Sequence, residues 1–261
     1  MRNDKRSDKI ETLVKNSKQE TDNIEFWRGI IMAFKLDSVV PWGRNLNEYK
    51  LMFQLDKQDM SKRIAGFGDG PACFNCEATM NGGHVISFDP IYQYSEEEIR
   101  ERIKEVRDVV MQQVKENRCN YVWSHIKDLD ELENIRMSAM QKFLSDYEQG
   151  RKEGRYVFHQ LPNKLPYEQD SFDIGLSSHF LLMYTNLGYD FHIQAITEML
   201  RVCKEIRIFP IVDLDANTTD LTNNVLDYFK KRYHVEIVTT DYEFQKGDNK
   251  LLVINKIRPN N

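Results

Sequence analysis

Residues 63–90 read RIAGFGDGPACFNCEATMNGGHVISFDP. A short apolar run from Ile64 to Phe67 meets two closely spaced glycines, Gly68 and Gly70, and a second apolar run ends in Asp89. A strand that must turn sharply into a helix needs backbone angles that side chains resist. Glycine supplies them and leaves the main chain open to close approach. Asp89 comes nineteen positions after Gly70, where a carboxylate at the tip of the second strand can accept hydrogen bonds from ribose hydroxyls. The stretch therefore reads as strand, loop, helix and strand around a nucleoside site.

The glycine spacing separates two cofactor classes. A dinucleotide loop wants G-x-G-x-x-G, so that amides at a helix N-terminus meet a pyrophosphate. Counted from Gly66 the last position is Pro71, and from Gly68 it is Cys73, so neither register completes the pattern. What fits is the compact run Gly68, Asp69, Gly70, Pro71, Ala72. Here the chain resembles the class I S-adenosylmethionine (SAM) dependent methyltransferases, whose first motif is written acidic-x-G-x-G-x-G. Gly66 stands at the acidic position and Ala72 at the third glycine. Ala72 is small enough for close helix packing. Gly66 removes a carboxylate that orders the loop in the family, and Asp69 is the candidate to restore it from three positions later. The stretch LPYEQDSFDIGLSSHFLLMY (165–184) and the run EMLRVCKEIRIF (198–209) resemble the same family around its fourth and fifth strands.

From Ile64 onward strands and helices alternate. Strands are expected at 63–67, 84–89, 155–159, 173–178, 205–212, 234–240 and 250–257, with helices at 71–80, 190–204 and 219–232. Such alternation implies a mostly parallel sheet covered on both faces. Residues 241–249 are too few for a crossover helix, so the last two strands pair antiparallel. The expected fold is a Rossmann-like α/β three-layer sandwich with seven strands, the last antiparallel. An NAD-dependent oxidoreductase fits less well on both the glycine pattern and this terminal hairpin.

Before and within that core lie added segments. Residues 1–62 read as a helical N-terminal extension, with an amphipathic helix at 23–35 and a second from Leu46 to about Leu55, and residues 63–261 as the SAM-binding domain. An insertion at about 95–154 opens with a capping box, Ser95 with Glu98, and carries a further helix from Leu129 to about Tyr147. Extra helices beside a cleft form either a substrate lid or a homodimer surface. The lid is the preferred reading.

Ligands of open α/β sheets lie beyond the carboxyl ends of the strands. That rule, with the resemblance, nominates Gly66, Gly68, Asp69, Gly70, Asp89, Pro90, Ile91, Leu161 and Ser177 for the cofactor, with Ile91 and Leu161 flanking the adenine. Arg44 and Tyr49, in the segment before the glycine loop, are the substrate or cofactor-carboxylate candidates. His179, directly after strand four, is the candidate base if the acceptor must lose a proton. Its alternative is a structural histidine bonded to a carbonyl. Asp213 and Asp215, beyond strand five, either orient a cationic substrate or terminate the strand and cap the following helix, and the second reading is preferred.

The 261 residues, 41% hydrophobic and 30% charged, suffice for one well-buried domain with attachments. A formal net charge of -5 argues against a broad nucleic-acid surface. Neither a membrane-spanning run nor a signal peptide is read, so a cytoplasmic location and a small-molecule substrate are expected, with no nucleic-acid or membrane partner. Cys73 and Cys76 form a lone C-x-x-C with no second half. They read as buried small side chains, and no metal site is expected. The functional expectation is SAM-dependent methyl transfer to a small molecule, against a non-catalytic SAM or nucleoside sensor on the same fold.

Overall fold

The computed structural model describes residues 40–256. The expected helix at 23–35 lies outside them. The described residues form a seven-stranded sheet in which β1 (Arg63–Phe67), β2 (His84–Asp89), β3 (Tyr156–Phe158), β4 (Phe172–Ser178), β5 (Cys203–Phe209), β6 (His234–Thr239) and β7 (Lys250–Asn255) stand in the order β3-β2-β1-β4-β5-β7-β6. β1 pairs in parallel with β2 and β4, whereas β7 is antiparallel to both β5 and β6. The sheet and its reversed β7 are those of the Rossmann-like methyltransferase fold that the resemblance implies.

The helices are α1 (Leu46–Phe53), α2 (Phe74–Met80), α3 (Glu96–Glu116), α4 (Leu129–Lys152), α5 (Tyr189–Val202) and α6 (Asp220–Lys230). From β1 the chain steps outward to β2 and β3, then returns to β4 on the other side of β1 and steps the opposite way to β5. Right-handed crossovers in opposite directions put their helices on opposite faces, and they leave a crevice between β1 and β4 at the strands' C-terminal edge. The strands owe their burial to runs such as Ile64–Phe67 and Ile174–Leu176, which face helices on both sides.

Boundaries differ from expectation where local chemistry intervenes. α2 starts at Phe74 rather than 71, because the Ala72 amide turns back to the Asp69 carbonyl at 3.3 Å. β5 begins at Cys203 and stops at Phe209 rather than 212, since Pro210 has no N–H to continue the ladder. Asp213 does not cap α6. Its carboxylate instead accepts the Asp215 and Asn217 amides, and Thr219 is the cap.

The insertion is an antiparallel pair, α3 and α4, whose tip reaches the β6–β7 loop. The Val122 amide donates to the Phe244 carbonyl at 2.7 Å, the Lys246 amide to the Asn120 carbonyl at 2.9 Å, and Trp123 packs edge-on to Phe244. Because β6 runs parallel to β5, that loop lies at the same C-terminal edge as the glycine turn. The insertion therefore spans this edge from the β2–β3 side to β6–β7. Among the described residues no helix is long and apolar enough to cross a membrane.

Candidate functional site

Gly68 (φ +73) and Gly70 (φ +54) both adopt the left-handed region, so the turn after β1 needs glycine at these two positions. A Cβ on Gly68 would lie 2.8 Å from the Phe180 ring, whereas one on Gly70 would meet nothing within 4 Å. The turn is thus covered on one side by the segment after β4 and open at Gly70. It is pinned from three directions. The Gly68 amide donates to the Phe88 carbonyl at 2.9 Å, the Gly70 amide to Asp89 Oδ2 at 2.8 Å, and the Tyr92 hydroxyl to the Gly70 carbonyl at 2.8 Å.

Gly66 and Asp69 turn out to be one feature. A Cβ built on Gly66 would stand 1.8 Å from Asp69 Oδ2. The Asp69 carboxylate thus occupies the volume that a side chain at Gly66 would fill. There it accepts the Ser87 hydroxyl at 2.6 Å on Oδ2 and the Tyr49 hydroxyl at 2.9 Å on Oδ1. Burial raises its pKa to about 6 against the opposing pull of those two hydrogen bonds. Tyr49, stacked on Phe74 at 4.2 Å, commits its hydroxyl to Asp69.

Asp89 caps the turn that follows it, with Oδ1 accepting the Ile91 amide at 2.8 Å. Burial raises its pKa to about 6 as well, with the Ile91 and Gly70 amides opposing and the Asp69 charge adding. A carboxylate offers about four acceptor positions, so two remain beyond the backbone contacts. Pro90 opens this turn, Ile91 is buried within it, and the His159 amide bonds the Asp89 carbonyl, which brings the buried Leu161 to the same edge. At the end of β4 the Ser177 hydroxyl is buried without a hydrogen-bond partner. His179 follows at φ +52, its amide on the Phe209 carbonyl and its Nδ1 2.9 Å from Ser178 Oγ. Burial first, then the Arg44 and Arg136 charges, hold its pKa well below the usual histidine value.

A second cluster lies on the β4–β5 side. Arg136, on α4, is fully buried, and its Nη1 donates to both oxygens of Glu48 on α1 at 2.6 and 2.7 Å. The Tyr242 hydroxyl, from the β6–β7 loop, adds a bond to Glu48 Oε1 at 3.0 Å, and the Asn45 amide adds one to Oε2 at 3.1 Å. Arg44 sits beside this cluster with its Nε buried and unpartnered. Ser87, Tyr92, Glu48, Arg136 and Tyr242 escaped the sequence reading. Two had a legible signal: Ser87 is a small polar residue inside an apolar strand, and Arg136 falls on the apolar face of α4 between Leu132 and Met140. Cys73 and Cys76 lie buried beneath the turn, and among the described residues no group of three His, Cys, Asp or Glu could hold a metal ion.

Solved structures similar to this chain include a SAM-dependent methyltransferase from Aquifex aeolicus (TM-score 0.37, 11% identity, 79% of this chain and 90% of that one). Another is a putative SAM-dependent methyltransferase from Methanococcus maripaludis (TM-score 0.39, 11% identity, 82% and 84%). Overlaps of this size carry no weight beside the strand order itself. No family model matches the chain. Over 223 residues, 85% of this chain and 98% of the other, it is 37% identical to the uncharacterized protein MJ0045 of Methanocaldococcus jannaschii, and it belongs to that protein's family.

Proposed function

We propose that the protein is a SAM-dependent methyltransferase acting on a small-molecule acceptor. The observation that carries this is the convergence of Asp69 and Asp89 on the Gly68–Gly70 turn at the C-terminal ends of β1 and β2. The residues fit the cofactor. Gly70 leaves room for close approach, Asp89 keeps acceptor capacity for ribose hydroxyls, the apolar Ile91 and Leu161 suit the faces of a purine, and Ser177 offers a hydroxyl in need of a partner.

The cofactor supplies a sulfonium methyl group, whose transfer is an in-line displacement with little charge to create. The chain's work is then orientation. Asp69, fixed by Ser87 and Tyr49, holds the turn in register with β2, and Asp89 ties the turn to the segment that follows it. His179, kept neutral at pH 7, can accept a proton from a hydroxyl or amine acceptor, while its low pKa makes it a weak base. Calorimetric titration of the full-length protein with SAM and S-adenosylhomocysteine tests the reading, and binding of both is expected. Failure of both to bind would sink it. Binding without turnover over a panel of hydroxyl, amine and thiol acceptors would favour a sensor.

A further inference from the structure

His179, held neutral by burial first and then by the Arg44 and Arg136 charges, has one ring proton and two nitrogens that could carry it. The nitrogen left bare is the basic one, and the hydrogen bond at the other nitrogen decides which that is. Nδ1 lies 2.9 Å from Ser178 Oγ, and among the described residues no group bonds Nε2. The directions of the bonds leading to Ser178 can be followed from a fixed end. Asn75 Oδ1 accepts from Arg155 Nη1 at 3.0 Å, which turns its amide nitrogen to the Val85 and Arg155 carbonyls at 3.3 and 3.0 Å and to Ser87 Oγ at 3.1 Å. Ser87 receives that proton and gives its own to Asp69 Oδ2 at 2.6 Å. An ionised carboxylate has no proton to return, so Tyr49 donates to Oδ1 at 2.9 Å. The Tyr49 side chain is only 1% exposed, and the hydroxyl facing its oxygen is that of Ser178. A phenol whose proton is drawn to an anion is a stronger acceptor. The Ser178 proton therefore turns to Tyr49 in preference to the weakly accepting Met52 sulfur at 3.9 Å. Ser178 Oγ is left to accept, and the group beside it is His179 Nδ1.

We propose that Asp69, acting through Tyr49 and Ser178, holds the ring proton of His179 on Nδ1 and leaves Nε2 bare as the basic atom. Asp69, Tyr49 and Ser178 are then positioning residues for the base, and one carboxylate serves both the glycine turn and the histidine. In serine proteases a buried carboxylate fixes an imidazole tautomer through one direct bond. Here two hydroxyls stand between them. What His179 would deprotonate rests on the function proposed above, whereas its tautomer rests on the hydrogen-bond directions alone.

The test is long-range proton–nitrogen correlation NMR on the full-length protein, isotope-labelled at the nitrogens of its six histidines. Spectra are taken at about pH 8, above the Asp69 pKa of about 6, and His179→Gln identifies the His179 signals by their loss. In the wild type Nδ1–H should outweigh Nε2–H by about tenfold, the ratio that one net hydrogen bond sustains. Ser178→Ala and Tyr49→Phe should each lower that ratio about tenfold, and Ser178→Thr, which keeps the hydroxyl, should retain it. Asp69→Asn should invert it: Ser87 still donates to position 69, so the new amide nitrogen turns to Tyr49 and every bond down to His179 reverses. A wild-type ring with its proton on Nε2, or with both nitrogens protonated, overturns the proposal without any variant having to fold. So does a Ser178→Ala protein that keeps the wild-type tautomer. The spectra need no cofactor, so the two readings fail separately. If S-adenosylhomocysteine does not bind, the methyl-transfer function falls and the base role with it, while the tautomer and its dependence on Ser178 are decided by the spectra.

Discussion

The acid that orders the turn after β1 is defined by where its oxygens lie, and residue position is secondary. Asp69 Oδ2 stands in the space of a Gly66 side chain, so the two positions should be exchangeable only together. Gly66→Asp alone collides with Asp69 and is expected to weaken S-adenosylhomocysteine binding, as is Asp69→Asn, which loses charge between Tyr49 and Ser87. The double replacement Gly66→Asp with Asp69→Gly should recover much of the affinity by calorimetry, and failure to recover any would show that Asp69 acts otherwise. Gly70→Ala separates binding from folding. Its Cβ meets no protein atom, so stability should drop only by the left-handed strain of about 1–2 kcal/mol. Ligand affinity should fall much further, because the methyl group enters the open side of the turn. The raised Asp69 pKa, about 6, also has a signed consequence. Between the ordinary aspartate value and that figure the folded protein binds more protons than the unfolded chain, so this group's stability contribution is fully present at low pH and is lost as pH rises through the window. Melting curves should therefore show Asp69→Asn gaining on wild type from about pH 4 to pH 6 and the gap levelling above.

Among the elements, α1 and α4 are joined by a buried ion pair whose two halves are not equivalent. Burial opposes ionisation of Glu48, but the Arg136 and Arg44 charges outweigh it and lower its pKa. Glu48→Gln would leave the fully buried Arg136 guanidinium without its counter-charge and should cost about 3–5 kcal/mol in urea unfolding. Arg136→Met should cost less, since Arg44 remains to satisfy Glu48. Equal losses would mean that Arg44 cannot reach the carboxylate. The contrast also marks what the sequence made legible. Strand and helix order, the reversed β7 and the Ser95 capping box follow from periodicity, loop length and local hydrogen-bond rules, so they could be read from residues 46–255 directly. The pairing of Asp69 with Ser87, or of Glu48 with Arg136 and Tyr242, links residues 18, 88 and 194 positions apart. No local pattern encodes such pairings. Tyr49 was legible as a site residue but not as a support for Asp69, because only the packed structure tells where a phenol points.

Over the whole molecule, the insertion closes the C-terminal edge by gripping the β6–β7 loop through Val122, Phe244, Asn120 and Lys246. Phe244→Ala should loosen that grip locally: amide exchange is expected to quicken across residues 118–128 while β1 and β4 keep their protection. Equal loss of protection in the sheet would mean that the insertion is part of the core's cooperative unit. The same grip bears on how the chain is made. Ribosomes deliver Tyr121, Val122 and Trp123 more than a hundred residues before Phe244, so during synthesis this aromatic tip has no dock and must wait, sticky and exposed, until the final hairpin emerges. The roof over this edge closes only once the β6–β7 loop has been made, and the exposed aromatic tip is most prone to aggregate in the interval before that.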